Sequence, residues 1–250
     1  MDPNLINKIA ELVILFSFVL SFIPRALFFS KSFFVLYLLG GFSYVFVRYY
    51  YAFPMTPMFF GTAGTPPILA LLGALYWRRF QKKSGLFFYR SLLLLTFFLG
   101  LFHVFFPKDF YLPFLKTATF FSQAHLAFTL LGKAAFFLSG LWALDYLINH
   151  KTTSSSPFFL WLVLGFGFWT LCIFTGEAWS YLGWGLPVVW DDAVIVTFLA
   201  TWFFYIGLLH LHLAGNLTVK KRALFSVGGI LWVIVLNCGP DLGPFRWLFR

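Results

Sequence analysis

The chain of 250 residues is 61% apolar and only 10% charged, with Phe at 38 positions; soluble domains run at roughly 45–50% apolar and about 25% charged. So little polar surface cannot cover so large an interior, which makes lipid the expected solvent and excludes disorder, a collagen-like fibre and a small disulfide-stapled scaffold. The net charge of +10 would suggest nucleic acid in a soluble protein, but the basic residues cluster between apolar stretches as membrane topology signals do, so no nucleic-acid partner is expected.

A helix crossing the hydrocarbon needs roughly 20 mostly apolar residues. In chain order the expected spans are residues 9–29, 33–53, 64–80, 88–106, 125–148, 157–176, 193–214 and 223–239. The fold class that follows is all-α: a polytopic transmembrane bundle of about eight spans, forming a single integral membrane domain over residues 1–250. Pro24 should bend the first span or end it early. The third span is short and opens on Pro66 and Pro67, which cost little in a first helical turn. The opening MDPNLINK is mixed in charge and no small-x-small site follows, so this segment is expected to be retained as the first span. Thr152–Ser156 reads as a short solvated turn. Cys172 and Cys238 lie in apolar runs and read as packing residues.

Lys and Arg on short loops set the orientation. With the N-terminus outside, the inner loops carry Arg25, Lys31, Arg78, Arg79, Lys82, Lys83, Arg90, Lys151, Lys220, Lys221 and Arg222, most of the 18 basic residues. Both termini are therefore expected to be extracytoplasmic, in an inner or plasma membrane or its equivalent. The outer loops become 54–63, 107–124 and 177–192, plus the tail after about 239.

The third outer loop differs from the others. Gly176 to Asp192 reads GEAWSYLGWGLPVVWDD, with three tryptophans, interspersed glycines and no basic residue. A single Trp there would be an ordinary interfacial anchor. Trp179, Trp184 and Trp190 together, with Gly176, Gly183 and Gly185 permitting close backbone approach, make an apolar platform suited to a flat aromatic or macrocyclic ligand. Asp191 and Asp192 precede the seventh span, where negative charge at a helix N-terminus is favourable.

This segment resembles the tryptophan-rich "WWD" signature of the haem-handling membrane proteins of cytochrome c maturation, the CcsA/ResC family with its CcmC-type cousins. Gly176, Trp179, Trp184, Gly185, Trp190 and Asp191 fall at the family's spacing, while Ser180 and Val188 depart from it. The span HLAFTLLGKAAFFLSGLWALDYL, opening at His125, and the later YIGLLHLH extend the likeness. It covers residues 121–240, the expected haem-handling core; residues 1–120 match only in hydropathy and order.

The resemblance implies a protein that presents b-type haem, transiently held, on the extracytoplasmic side for covalent attachment to apocytochrome c. It further implies a CcsB-like membrane partner subunit and thiol-reducing proteins. No catalytic dyad is visible, so the chain is at most one subunit of a cytochrome c synthase, or haem lyase, complex. A membrane transporter of haem or another small solute, or a membrane anchor subunit binding haem or quinone, remain the alternatives.

Axial ligands on opposite faces of a porphyrin come from separate segments. The resemblance assigns one to His125, ahead of the tryptophan segment, and gives His210 to a haem site within the membrane, with His212 as an interfacial residue. The family's outer ligand after the last span has no counterpart, since NCGPDLGPFRWLFR, from Asn237, contains no histidine. His103 is either a core hydrogen-bonding group or a haem contact. Arg48 is either a grip for a propionate or a snorkelling cation. Lys133, two turns beyond His125, needs a partner if buried.

Overall fold

The computed structural model describes residues 3–52, 60–80, 86–105, 119–149, 157–190, 192–215 and 217–238, and every regular element among them is helical. The chain divides into two compact units, Met1–Tyr111 and Leu112–Arg250. Among the described residues, five helical stretches are long and apolar enough to cross a membrane: Pro24–Tyr51, Leu86–Phe105, Phe120–Asn149, Pro157–Trp184 and Val194–Leu213.

The N-terminal unit contains α1 (Pro3–Leu20), a 3-10 turn (Pro24–Ala26), α2 (Leu27–Ala52), α3 (Phe60–Ala63), α4 (Thr65–Phe80) and α5 (Leu86–Phe105). The first span, expected over 9–29, starts earlier and stops at Leu20. Ile23 takes the extended conformation usual before proline, and the Arg90 guanidinium donates to the Ser21 carbonyl (Nη2, 2.9 Å; Nε, 3.3 Å). A helix end that would otherwise leave bare carbonyls is thereby closed. Ser17 and Ser30 lock α1 to α2 by donating to each other's carbonyls at 2.8 and 2.7 Å, and Tyr89 on α5 reaches Ser30 at 3.2 Å. Small hydroxyls of this kind let helices approach closely while satisfying themselves in an apolar solvent.

The C-terminal unit contains α6 (Phe120–Asn149), α7 (Pro157–Trp184), α8 (Ala193–Leu213), α9 (Val219–Val233) and a π-helical turn (Ile234–Cys238). Helix α6 is its centre. Of its most apolar stretch 83% is buried, against 17% for α8, as expected of a helix apolar all round. Glycines seat its neighbours: a Cβ at Gly132 would touch the Trp169 ring on α7 at 3.0 Å, and one at Gly140 would collide with Ile230 on α9. Lys133, 3% exposed, finds the partner its burial demanded, donating to the Asn237 carbonyl at 2.6 Å. The Asn237 amide in turn donates to Thr201 Oγ1 at 2.7 Å.

The outer surfaces of both units are apolar. Leu39, Phe46, Phe203, Leu231 and Val235 are each more than 60% exposed, whereas a soluble chain would carry charge at such positions. Within the N-terminal unit, Arg25, Lys31 and Arg90 gather where α1 ends and α2 and α5 begin. Within the C-terminal unit, Lys220, Lys221 and Arg222 sit at the start of α9, beside the end of α8.

Candidate functional site

At the opposite end of the C-terminal unit from that basic cluster, the first turns of α6, the last turns of α7 and the first turn of α8 come together around His125. The face of α7 that makes this contact is spaced as a helical stripe: Trp169, Cys172, Gly176 and Trp179. His125 Nδ1 lies 2.9 Å from the Cys172 carbonyl, which can only accept. The proton therefore sits on Nδ1, and the lone pair is left on Nε2, which makes no hydrogen bond among the described residues. A histidine whose Nδ1–H is held by a backbone carbonyl is the ordinary arrangement for a metal-ligating imidazole, because the bond fixes both tautomer and ring direction.

Rings fix the remaining freedom. The imidazole stacks on Phe198 of α8, centroids 5.6 Å apart and planes 27° apart, and its other neighbour is Trp179 at 5.8 Å. Phe198 is itself held from beneath, because fully buried Trp169 stacks on it at 4.6 Å and donates Nε1–H to its carbonyl at 3.0 Å. Thr129 Oγ1 donates to the His125 carbonyl at 2.7 Å and lies 3.0 Å from Cys172 Sγ. Gly176 is required by this packing: a Cβ there would stand 2.8 Å from His125 Nδ1 and 3.1 Å from Cε1.

The tryptophan segment is not the loop expected over 177–192. Helix α7 continues to Trp184 and ends only at Gly185, whose φ of +75° is the left-handed conformation that glycine adopts without penalty. The Gly185 N–H bonds the Tyr181 carbonyl at 2.8 Å, and Ser180 Oγ donates to the Leu186 carbonyl at 2.8 Å. Trp179 and Trp184 are therefore five positions apart on one helix and project about 140° apart. Trp179 faces His125, whereas Trp184 and Trp190 are 40% and 69% exposed. Asp191 lies outside the described residues. Asp192 caps α8, its Oδ1 accepting the Val194 N–H at 2.8 Å.

The other histidines go elsewhere. His210 is exposed, with Nδ1 on its own helix at the Ile206 carbonyl (2.8 Å). Twelve residues separate it from Phe198, about 18 Å along α8, so it cannot share an iron with His125. His212 packs on the Phe159 ring at 3.9 Å and meets the Arg222 guanidinium. His103 belongs to the N-terminal unit and is 3% exposed; Tyr44 hydroxyl lies 2.9 Å from its Nε2 and Thr62 Oγ1 lies 3.1 Å from its Nδ1. Both ring nitrogens are thus engaged. Arg48, in the same unit, reaches the Tyr44 hydroxyl at 3.5 Å and covers its ring.

Sequence reasoning missed Trp169, Cys172 and Phe198 as the seat of His125. The stripe spacing on α7 was available as a signal, but a packing stripe and a ligand seat look alike in one dimension.

Over 93 residues the chain is 30% identical to the cytochrome c biogenesis protein CcsA of Prochlorococcus marinus strain MIT 9312. It is 28% and 29% identical over 93 residues to the proteins of that name from strains MIT 9515 and MIT 9301. Each alignment covers 35% of this chain and 30% of the relative, so the chain matches under a third of the length of these curated relatives. No family model matches the chain, and no solved structure matches it. The chain thus has distant homologues that bear the cytochrome c biogenesis name.

Proposed function

We propose that this chain is an integral membrane protein that holds haem for cytochrome c assembly, at the His125 end of its C-terminal unit. The observation that carries this reading is the state of His125. Its Nδ1–H is committed to the Cys172 carbonyl, its ring is wedged between Trp179 and Phe198, and Nε2 is left to bind iron. The chemistry of the donor set fits haem, whose porphyrin supplies four equatorial nitrogens and asks only axial ligands of the protein. The name shared by the distant relatives supports the same reading.

On this reading the chain crosses the membrane about eight times with both termini extracytoplasmic, as the Lys and Arg pattern favours. Haem, when bound, supplies the vinyl groups to which the cysteine thiols of an apocytochrome c add. The chain itself orients one face. His125 would hold the iron, Trp179 would pack against the porphyrin, and the exposed Trp184, Gly185 and Trp190 would form the rim offered to the acceptor, with Asp191 assigned to the haem-binding set from its place in the sequence signature alone. Any further iron ligand would come from a partner. His210 is assigned to a separate haem contact at the basic end. Arg48, in the N-terminal unit, is proposed as a carboxylate-gripping cation and not as part of the His125 seat, and His103, with both nitrogens engaged, is left out of the ligand set. A CcsB-like subunit and thiol-reducing proteins complete the assembly.

The test is a haem spectrum of the chain purified from membranes with its native partners. His125→Ala should strip the bound haem and imidazole should restore it. An unaltered spectrum in His125→Ala would refute the axial assignment, and cysteine labelling of residue 184 from the cytosolic side would refute the orientation.

A further inference from the structure

The N-terminal unit holds a second polar centre that the haem reading does not use. Glu11 on α1 is only 7% exposed, within a helix whose neighbouring positions Ala10 and Ile14 are core. Its carboxyl group is pressed against Gly100 of α5, occupying the very space that a Cβ there would need. The close approach of α1 and α5 is therefore built around the acid. It does not snorkel away from the core.

Glu11 makes no hydrogen bond or ion pair among the described residues, and Oε2 is fully enclosed. It lines a small pocket with Asn7, Tyr37, Tyr44, Gly100 and His103, with room on the order of one water molecule. The charged and titratable groups that face it are Tyr37 and Tyr44 on α2, with Arg48 behind Tyr44, and His103 on α5; α4 contributes Pro66 and Pro67. On α1 itself Lys8 points to the exposed side. None of the cations is in contact with the carboxyl group.

A carboxylate enclosed with no cation or hydrogen-bond donor in contact, even though polar side chains line the same pocket, loses its hydration and receives little in return, whereas the neutral acid loses far less. Ion binding asks for several oxygen ligands converging on one point, and this pocket is too small for an ion with its shell. The proton is the ligand that fits. We infer that Glu11 is a proton-binding site within the membrane-embedded N-terminal unit, occupied as the neutral carboxylic acid at neutral pH and exchanging through the small pocket beside it. Asn7, one turn before Glu11 and close to the start of α1, lines the same pocket. This assignment stands whether or not the protein handles haem.

Dicyclohexylcarbodiimide tests it on the full-length chain in native membranes. Only a protonated carboxyl reacts: its proton moves to a carbodiimide nitrogen, its oxygen bonds to the central carbon, and acyl migration to nitrogen leaves a stable N-acylurea. Mass spectrometry should find the adduct on the Glu11 peptide at neutral pH, with a yield that falls as pH rises. Absence of the adduct overturns the assignment. So does suppression of the adduct by sodium chloride but not by choline chloride, which would make the pocket a cation site. Infrared spectra give an independent reading: the carbonyl band of an un-ionised carboxyl should be present at neutral pH and lost in Glu11→Gln. If that variant fails to insert, Glu11→Asp should keep the band at a shifted position. A band unchanged by either substitution overturns the assignment too.

Discussion

Gly176→Ala perturbs the proposed iron ligand without touching it chemically. The added methyl would lie 2.8 Å from His125 Nδ1 and 3.1 Å from Cε1, closer than carbon and nitrogen tolerate, so the ring must move. It is not a flexible chain end: the 2.9 Å bond to the Cys172 carbonyl and the contacts with Phe198 and Trp179 all resist the shift. Losing that hydrogen bond costs about 0.5–1.5 kcal/mol and overpacking about 1–3 kcal/mol, while alanine's better helix propensity returns roughly 1 kcal/mol. The net is a loss of about 0.5–3.5 kcal/mol in stability. If about 1.4 kcal/mol of it falls on the haem-bound state, retention weakens tenfold. Gly167→Ala is the matched control on the same helix, because a Cβ there meets nothing within 4 Å. Haem titration followed by absorbance, with thermal unfolding in detergent, should separate the two variants. Wild-type haem affinity and spectrum in Gly176→Ala would show that the packing around His125 does not govern iron binding, and the proposed ligand geometry would fail.

Gly140→Val should destabilise the C-terminal unit by about 1–3 kcal/mol or more by driving α9 away from α6, since even a Cβ collides with Ile230 and stands 2.9 Å from the Ser226 carbonyl; thermal unfolding reads this directly. Asp192→Ala removes the cap of α8 and should cost about 0.5–2 kcal/mol, visible as a lowered midpoint with unchanged helix content. Trp184→Ala, at a position 40% exposed, should leave stability within about 0.5 kcal/mol while reducing haem retention. Equal loss of both would make Trp184 a folding residue.

Much of the architecture was legible in one dimension because lipid leaves few options for a chain this apolar. Helices satisfy every backbone group internally, so long Phe- and Leu-rich stretches between basic clusters must be helical, and the expected spans recur as helices with shifted ends. The ends were harder. Pro24 signalled an early end to the first span, but the closing bond from the Arg90 guanidinium of α5 to the Ser21 carbonyl comes from 69 residues away, and no local pattern contains it. Carrying α7 on to Trp184 depended on where a glycine takes positive φ. Gly176, Gly183 and Gly185 all offered that freedom, and only Gly185 uses it.

The site divides in the same way. Residue type and spacing singled out Gly176 and the tryptophans, because a flat ligand calls for indoles and glycines, and the family resemblance pointed to His125. Which nitrogen of His125 is available, that Phe198 and Trp169 brace it, and that His210 lies too far away to join it in one site were decided only when α6, α7 and α8 packed together. Glu11 shows the limit most clearly. In sequence it is one acid near the start of the first expected span, and only the approach of Gly100 encloses it. Solvation energy depends on what surrounds a group in three dimensions, and a linear string does not contain that information.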